Sequence, residues 1–386
     1  MRPLPASMQA APLYSGAAAS SISIRLNLQI TTAFYGGGVE AGVSDAAVPF
    51  RPSAIRGLLR WFWRATRGAQ FATFKELKQR EDAIWGSTTD ASKVVVDVTN
   101  ARLGAGKLAL RRENNRKVFE QPSYVLFPAQ SVTPRYIHTG GSFDLHISFP
   151  KALLQDISDD IDAALHYWIN FGGVGARTRR GMGALYCNTY SGPDRWYRPD
   201  LLLGAGAQRP WSTCKGARAV AGQPMPHQQA WLASARILQE FSQWRTGPRG
   251  RSLWPEPDAL RRLRSQSAPT HREPMTSVDI FPRAALGLPK IFQFKTPGDP
   301  SPDNTLVIDA QTDRFPSPVI VKPLAISATH SIPILIALNT PPPPAKLLLT
   351  RKGGPDLPVD LGDPALVINS LLNSAATTWN APVYTL

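Results

Sequence analysis

Residues Phe171–Leu185 read FGGVGARTRRGMGAL and bring five glycines and three arginines into one short stretch. Glycine has no Cβ, so its backbone can come close to a neighbour or a ligand. Arginine stays protonated in proteins, and its planar fork of donors fits a phosphate. The chemistry these residues offer is anion binding. The pattern is not a nucleotide loop: it lacks the Gly-Lys-Ser/Thr ending of a P-loop, and a dinucleotide fingerprint needs a strand before it and an acid beyond it. Here DDIDAALHYWIN, on the N-terminal side, has helical periodicity, and ALYCNTY, on the C-terminal side, is strand-like. The loop therefore runs from helix to strand and offers no helix N-terminus to a pyrophosphate.

A second cationic constellation is PSAIRGLLRWFWRATRGA, which predicts a helix over 52–68 with Pro52 and Ser53 at its start. At about 100° per residue, Arg60, Arg64 and Arg67 all fall within about 80° of Arg56. Ile55, Leu58, Leu59 and Phe62 lie opposite, and Trp61 and Trp63 flank the basic stripe. Like charges at this spacing cost on the order of a few tenths of a kcal/mol each, and a facing polyanion would reverse the sign. The helix holds no acid to pair them locally. Two readings stand for this stripe and for Arg177, Arg179 and Arg180: contact with nucleic acid, or pairing with acids elsewhere in the protein. If helix and loop share a surface, they form a groove that follows a phosphate backbone and loses affinity steeply with salt. Trp61, Trp63 and Tyr35 are then the candidates for stacking on unpaired bases, although rings at such positions also serve as core.

Catalytic patterns are weak. His138, between PRYI and TGG, could act as a general base in RNA cleavage, but a single histidine in an expected turn is more commonly a surface residue. His146 falls in an expected strand and His166 in an expected helix. SDDID, with Asp156 just before it, could suggest Mg²⁺; favourable charge at a helix N-terminus capped by Ser158 is the simpler role. Cys187 and Cys214 have neither metal-ligand nor disulfide-framework spacing. No cofactor and no metal are expected.

The 386 residues suit two domains, and the 43% hydrophobic content is enough to bury their cores. The net charge of +15 is shared, with +8 over residues 1–200 and +7 beyond, so it is not a basic tail on a neutral body. This distribution favours a nucleic-acid or acidic-protein partner. No apolar run reaches the roughly 18–20 residues of a membrane span, and the N-terminus lacks the apolar region of a signal peptide. A cytoplasmic protein is expected.

SISIRLNLQITT alternates apolar and polar residues and predicts a strand. Further strands are expected at 94–98, 124–127, 143–149 and 184–190, with a helix over 158–170. The order strand, helix, strands, helix, strand is the split βαβ, ferredoxin-like plan, whose sheet is also the platform of many RNA-binding modules. The domain expectation is a flexible tail over 1–20, a ferredoxin-like domain over 21–192, a linker over 193–226 and a second domain over 227–386. In the second half HQQAWLASARILQEFSQWR, PDALRRLRSQS and ALVINSLLNS predict helices, and PVIVKPLAI, IPILIALN and APVYTL predict strands. PPPPAK, near Pro341, should be a stiff exposed loop.

TTAFYGGG, PFRPSAIRGLLRWFWRA, IWGS, FGGVGARTRRGMGAL, FPRAALGLPKIFQF and RFPSPVIVKP occur in this order. Together they resemble the RAMP superfamily, specifically the subunit-1 family of type III-B CRISPR–Cas (Cmr) effector complexes, from about Ser21 to Pro323. The glycine loop alone indicates only the superfamily; the arginine–tryptophan helix with the GLPK and SPV segments is more specific. The resemblance implies an α+β protein of two ferredoxin-like (RRM-like, split βαβ) domains packed together. It implies a non-catalytic, cytoplasmic subunit at one end of a filament wound on guide RNA, near the guide's 3′ end, helping to capture target RNA beside other Cmr subunits. Carried over by residue, its RNA-binding positions are Arg56, Arg60, Arg64, Arg67, Trp61, Trp63, Gly172, Gly173, Gly175, Arg177, Arg179, Arg180, Arg283, Lys290 and Arg314. The alternatives are a metal-independent endoribonuclease that processes guide RNA, as some RAMP relatives are, and a structural adaptor that binds only protein. If the stripe is the RNA surface, removing the charges of Arg56, Arg60 and Arg64 together weakens target-RNA binding and flattens its salt dependence. An unchanged slope in a folded triple variant excludes the stripe.

Overall fold

The computed structural model describes residues 20–36, 38, 43–130, 135–244, 247, 251–294, 296–300 and 304–386. The expected tail over 1–20 lies, except for Ser20, outside the described residues. Alternation in SISIRLNLQI gives strand β1 (Ser21–Ile30), with Leu26, Leu28 and Ile30 buried and the residues between them exposed. Helix α1 follows (Pro52–Ala65), its proline at the first position, where no backbone donor is lost. A short 3₁₀ turn from Arg67 leads to α2 (Phe74–Trp85). Thr73 and Glu76 cap α2 reciprocally: the Thr73 hydroxyl accepts from Glu76 N at 3.3 Å, and the Glu76 carboxylate accepts from Thr73 N at 3.0 Å.

Strand β2 (Val95–Leu108) runs into a hairpin of β3 (Leu110–Glu113) and β4 (Arg116–Phe119), then a single turn of helix α3 (Ser123–Leu126). Residues 124–127 were expected as a strand. They are helical because Pro122 precedes the turn, and the adjacent residues Val125 and Leu126 are both buried, which a strand cannot arrange on one face. Strand β5 (Tyr136–Pro150) returns along β1 and β2, and α4 (Leu154–Phe171) leads to β6 (Leu185–Tyr186). β6 is shorter than the expected 184–190, because Tyr190 N and Ser191 N both turn back to the Cys187 carbonyl. α4 begins four residues before Ser158, which is therefore not its cap.

The segment expected as a linker, 193–226, instead supplies β7 (Thr213–Ala221) and β8 (Met225–Pro226). Its glycines and polar residues disguised a strand whose alternate positions are small: Ala217 and Ala219 are buried. Helices α5 (His227–Gln243) and α6 (Glu256–Leu263) follow, then β9 (Lys290–Phe292), β10 (Asn304–Val307), β11 (Val319–Ala325), β12 (His330–Asn339), β13 (Lys346–Arg351), β14 (Leu357–Asp360), α7 (Pro364–Trp379) and β15 (Val383–Thr385). The proline run lies between β12 and β13, and Pro343 within it is buried rather than exposed.

The result is a mixed α+β fold of antiparallel sheets. The first sheet has the order β2-β5-β1-β6, with Leu26 opposite Leu145 and Leu28 opposite Phe143. The second has the order β11-β12-β7-β15, and a smaller sheet, β14-β13-β10-β9, stands beside it. β11 and β12 are buried on both faces, as a near-continuous apolar run requires. Their alternation has a use. Ile320, Leu324, Ile334 and Ile336 join one core with β1, α1 and α4, whereas Val319, Val321, Leu335 and Ala337 join another with α5 and α7. The second sheet is thus a shared wall.

Asp160 of α4, 4% exposed, ties the first half together. It accepts from Trp63 Nε1 at 2.8 Å and from Arg80 at 2.8 Å, with the Arg67 guanidinium at 3.5 Å. Replacing it strands a buried indole N–H and removes one carboxylate from two guanidinium groups, leaving Arg80 with Asp156 and Arg67 with Asp159. Asp160→Ala should therefore lower the urea-unfolding free energy by about 2–4 kcal/mol. The neighbouring Asp159→Ala, at a carboxylate 74% exposed, should cost less than about 1 kcal/mol.

Candidate nucleic-acid interface

The two basic elements do meet. The Arg179 guanidinium lies over the Trp61 ring at 5.0 Å from its centroid, a cation–π contact between the glycine loop and α1. The stripe on α1, however, is largely matched by acids of neighbouring helices. Arg60 Nε donates to Glu81 Oε1 at 2.7 Å, and Arg64 lies 3.8 Å from the other oxygen of that carboxylate. Arg67 faces Asp159 and Asp160 at 3.8 and 3.5 Å. Among the described residues only Arg56 of the four makes no ion pair. Sequence separation hid this: Glu81 sits on α2 and Asp160 on α4, and each fold-back brings an acid under the stripe. Removing Arg60 and Arg64 would also leave Glu81, 5% exposed, without its partners.

The rings and glycines are corrected too. Trp63 is fully buried, with its N–H on Asp160, and Tyr35 is 5% exposed, so neither can stack on a base. Trp61 is half-buried beneath Arg179. Gly172 and Gly173 are buried, and the close approach they permit is to the protein itself. A Cβ on Gly172 would lie 2.5 Å from the Trp168 carbonyl oxygen, and one on Gly173 would lie 2.6 Å from that of Gly183. Gly175, at φ +78°, is exposed at the backbone turn, but its Cβ direction runs into Phe34 at 2.4 Å. The loop is stitched to the residues after β1: Ala176 N donates to Tyr35 O at 3.0 Å and Thr32 Oγ1 to Gly181 O at 2.7 Å.

Held this way, the loop projects its arginines toward the second half. Arg180 donates to Val319 O at 2.6 Å and to Ser317 Oγ at 2.9 Å, and Arg179 donates to Ser317 O. Ser317 also abuts Gly287, where a Cβ would come within 3.1 Å of Ser317 N. The GLPK and SPV segments therefore join the glycine loop at one place. Arg283 and Lys290 come with them. Arg283 pairs with the buried Glu256 at 3.1 Å and donates to Ser242 O at 2.8 Å. The Lys290 side chain makes no hydrogen bond or ion pair among the described residues. Burial pushes it down to about 7, with the charges of Arg283 and Arg180 acting in the same sense. Burial also lowers Arg177, Arg179 and Arg180, the last to about 10 with Arg177 and Arg179 as contributing neighbours. Five cations thus crowd the seam between the two halves, where one carboxylate, already engaged, lies among them. Arg314 stands apart, 83% exposed and 3.8 Å from Asp313.

Sequence reasoning missed Lys322. It is 1% exposed, and its ammonium donates to Gly172 O at 2.7 Å, joining β11 to the end of α4. The available signal was a lysine inside the apolar run PVIVKPLAI. His138 is part of β5, not a turn, and its Nδ1 lies 3.3 Å from Gly104 O. Among the described residues no group of acids, histidines and cysteines is arranged to hold a metal ion. Among the same residues no helix is long and apolar enough to cross a membrane.

Burial holds Lys322 down to about 7. Between about pH 7 and its unfolded value the unfolded chain binds a proton that the folded chain does not, so stability rises with pH. The thermal midpoint should therefore climb from about pH 7 to about pH 9, and Lys322→Met should flatten the climb. An equal slope in that variant would show that Lys322 is charged throughout.

Comparison with known proteins places this geometry. Residues 27–186 match the RAMP superfamily. The chain is 28% identical over 145 residues to "CRISPR system Cmr subunit Cmr1-1" of Pyrococcus furiosus, covering 35% of this chain and 39% of the relative. It is 26% identical over 162 residues to Cmr subunit Cmr1-2 of the same organism, covering 37% of this chain and 85% of the relative. The aligned part thus spans about two-fifths of the first relative's length. In overall fold it is similar to the apo crystal structure of Cmr1 from P. furiosus, with a TM-score of 0.53 at 14% identity, covering 94% of this chain and 98% of the other. Residues 27–186 thus resemble the RAMP superfamily, and the chain is similar in sequence to Cmr1 subunits of CRISPR Cmr systems.

Proposed function

We propose that this protein is a non-catalytic RNA-binding subunit of a type III-B CRISPR (Cmr) effector complex. On this reading it sits with other Cmr subunits at one end of the filament, near the 3′ end of the guide RNA, and helps to capture target RNA. The observation that carries the reading is the crowding of Arg177, Arg179, Arg180, Arg283 and Lys290 against a single engaged carboxylate. A phosphate chain relieves that repulsion, and the similarity to Cmr1 subunits of CRISPR systems supports RNA as that chain. We further propose that the repeated strand order 2-3-1-4 of the two main sheets reflects two ferredoxin-like units, the first over 21–192 and the second beginning at β7. Guide pairing would supply sequence choice, while a cleft opening at this cationic seam would supply charge and shape.

Lys290 gives the test. A bound phosphate favours its charged form, so binding takes up a proton where the free protein is neutral. Affinity for single-stranded RNA should then fall as pH rises from about 6.5 to 8.5. Lys290→Ala should reduce the salt slope by about 1 and abolish the pH dependence. Lys290→Arg should keep the affinity and still abolish the pH dependence. Fluorescence anisotropy with a labelled oligouridylate reads all three, and unchanged binding in Lys290→Ala would exclude the cleft.

A further inference from the structure

We infer that the β3–β4 hairpin and three aromatic side chains at its foot form a second contact for single-stranded RNA, outside the cleft. The inference rests on the RNA-binding reading above and extends it to a surface that reading does not use. The hairpin turns through Asn114 and Asn115, both at positive φ (47° and 60°), where asparagine is tolerated. Its register sets Arg112 opposite Lys117 and Glu113 opposite Arg116. Like charges directly across a strand pair are destabilising, and an isolated two-stranded hairpin is marginal to begin with. The local acids do not relieve the repulsion. Glu113 is taken by Arg111, and Glu120 by Arg111 and by Lys107. Arg112, Arg116 and Lys117 are exposed and make no ion pair among the described residues.

The foot of the hairpin carries rings that the core does not use. Tyr136 lies opposite Leu108, and Phe119 lies opposite Leu110, so the two flank Ala109. Phe127 is held to the same place, because the nearby Gln130 amide donates to Ala109 O at 3.2 Å and to Glu120 O at 2.8 Å. The exposures are 43% for Phe119, 67% for Phe127 and 59% for Tyr136. Open rings beside unpaired cations are the means by which proteins hold unstacked bases on a phosphate track. An acidic protein would use the cations and leave the rings idle, and duplex RNA would offer no free base faces. The foot also continues from the cleft. From β4 the chain passes Pro122 into α3, where Tyr124 is close enough to Arg177 and Arg180 to act on both electrostatically. A strand leaving the cleft would meet the rings first and the cationic arm next.

The test uses the full chain with 5′-fluorescein oligouridylates of two lengths, one short and one long. Arg112→Ala/Arg116→Ala/Lys117→Ala should reduce the salt slope for the long oligomer by about 2, near the single-strand value per phosphate for three lost cations. Phe119→Leu/Tyr136→Leu should weaken long-oligomer binding by about tenfold or more, whereas Phe119→Tyr, which keeps a ring, should bind as wild type does. Circular dichroism confirms that each variant is folded. If Lys290→Ala weakens binding while the hairpin variants change neither slope nor affinity, the hairpin inference falls and the cleft reading stands. Wild-type protein with no oligouridylate affinity removes both. Displacement by polyglutamate at equal charge, with the ring variants silent, makes the arm an acidic-protein surface and overturns the inference.

Discussion

Three cationic side chains donating to backbone carbonyls across the two halves set the arrangement of the molecule. Arg179 reaches Ser317 O, Arg180 reaches Val319 O, and Lys322 reaches Gly172 O from the opposite side. Carbonyl oxygens satisfy these donors without neutralising them. Each contact therefore holds the halves together, and the two arginines leave positive charge in the seam between them. A carboxylate at Ser317 would have made a stronger local pair and removed the field. The glycine loop is rigid for the same reason: its backbone is fixed to the segment after β1, so its arginines approach Ser317 from a defined direction.

Two populations of arginine follow. Arg60 and Arg64 of α1 and Arg80 of α2 are absorbed by Glu81, Asp156 and Asp160 and act as cross-links between helices. Those of the glycine loop, together with Arg283 and Lys290, share one acid. The +15 total therefore overstates the charge in some places and understates it in others. Formal charge counts residues, whereas recognition depends on those whose partners are missing.

Much of the fold was legible in the sequence. Alternation in SISIRLNLQI, helical spacing in HQQAWLASARILQEF and continuous apolarity in IPILIALN each gave the correct element, because burial on one or two faces leaves a periodic trace. β7 was not legible: its glycine and small residues resemble a loop, and its burial comes from neighbours distant in sequence. Of the candidate site, the convergence of the glycine loop with GLPK and SPV was readable only as a set of motifs in order, since nothing local says that Arg180 reaches Val319. The arginine stripe was overread for the opposite reason. Its periodicity is real, but Glu81 and Asp160 are supplied by other helices, and pairing between separate helices leaves no periodic trace. Lys322 lay inside RFPSPVIVKP without being singled out, and the cations of the β3–β4 hairpin fell outside every motif.

The alternation along β12 has a consequence for how the chain can change. Ile334 and Ile336 press on the layer built from the first half, whereas Leu335 between them presses on α7. A volume change at either isoleucine must be absorbed by repacking in α1 or α4, more than 150 positions earlier in the chain. One at Leu335 must be absorbed at Val367 or Leu371. Adjacent codons of a single strand are thereby bound to separate distant partners, and drift in one half of the molecule is constrained by the other.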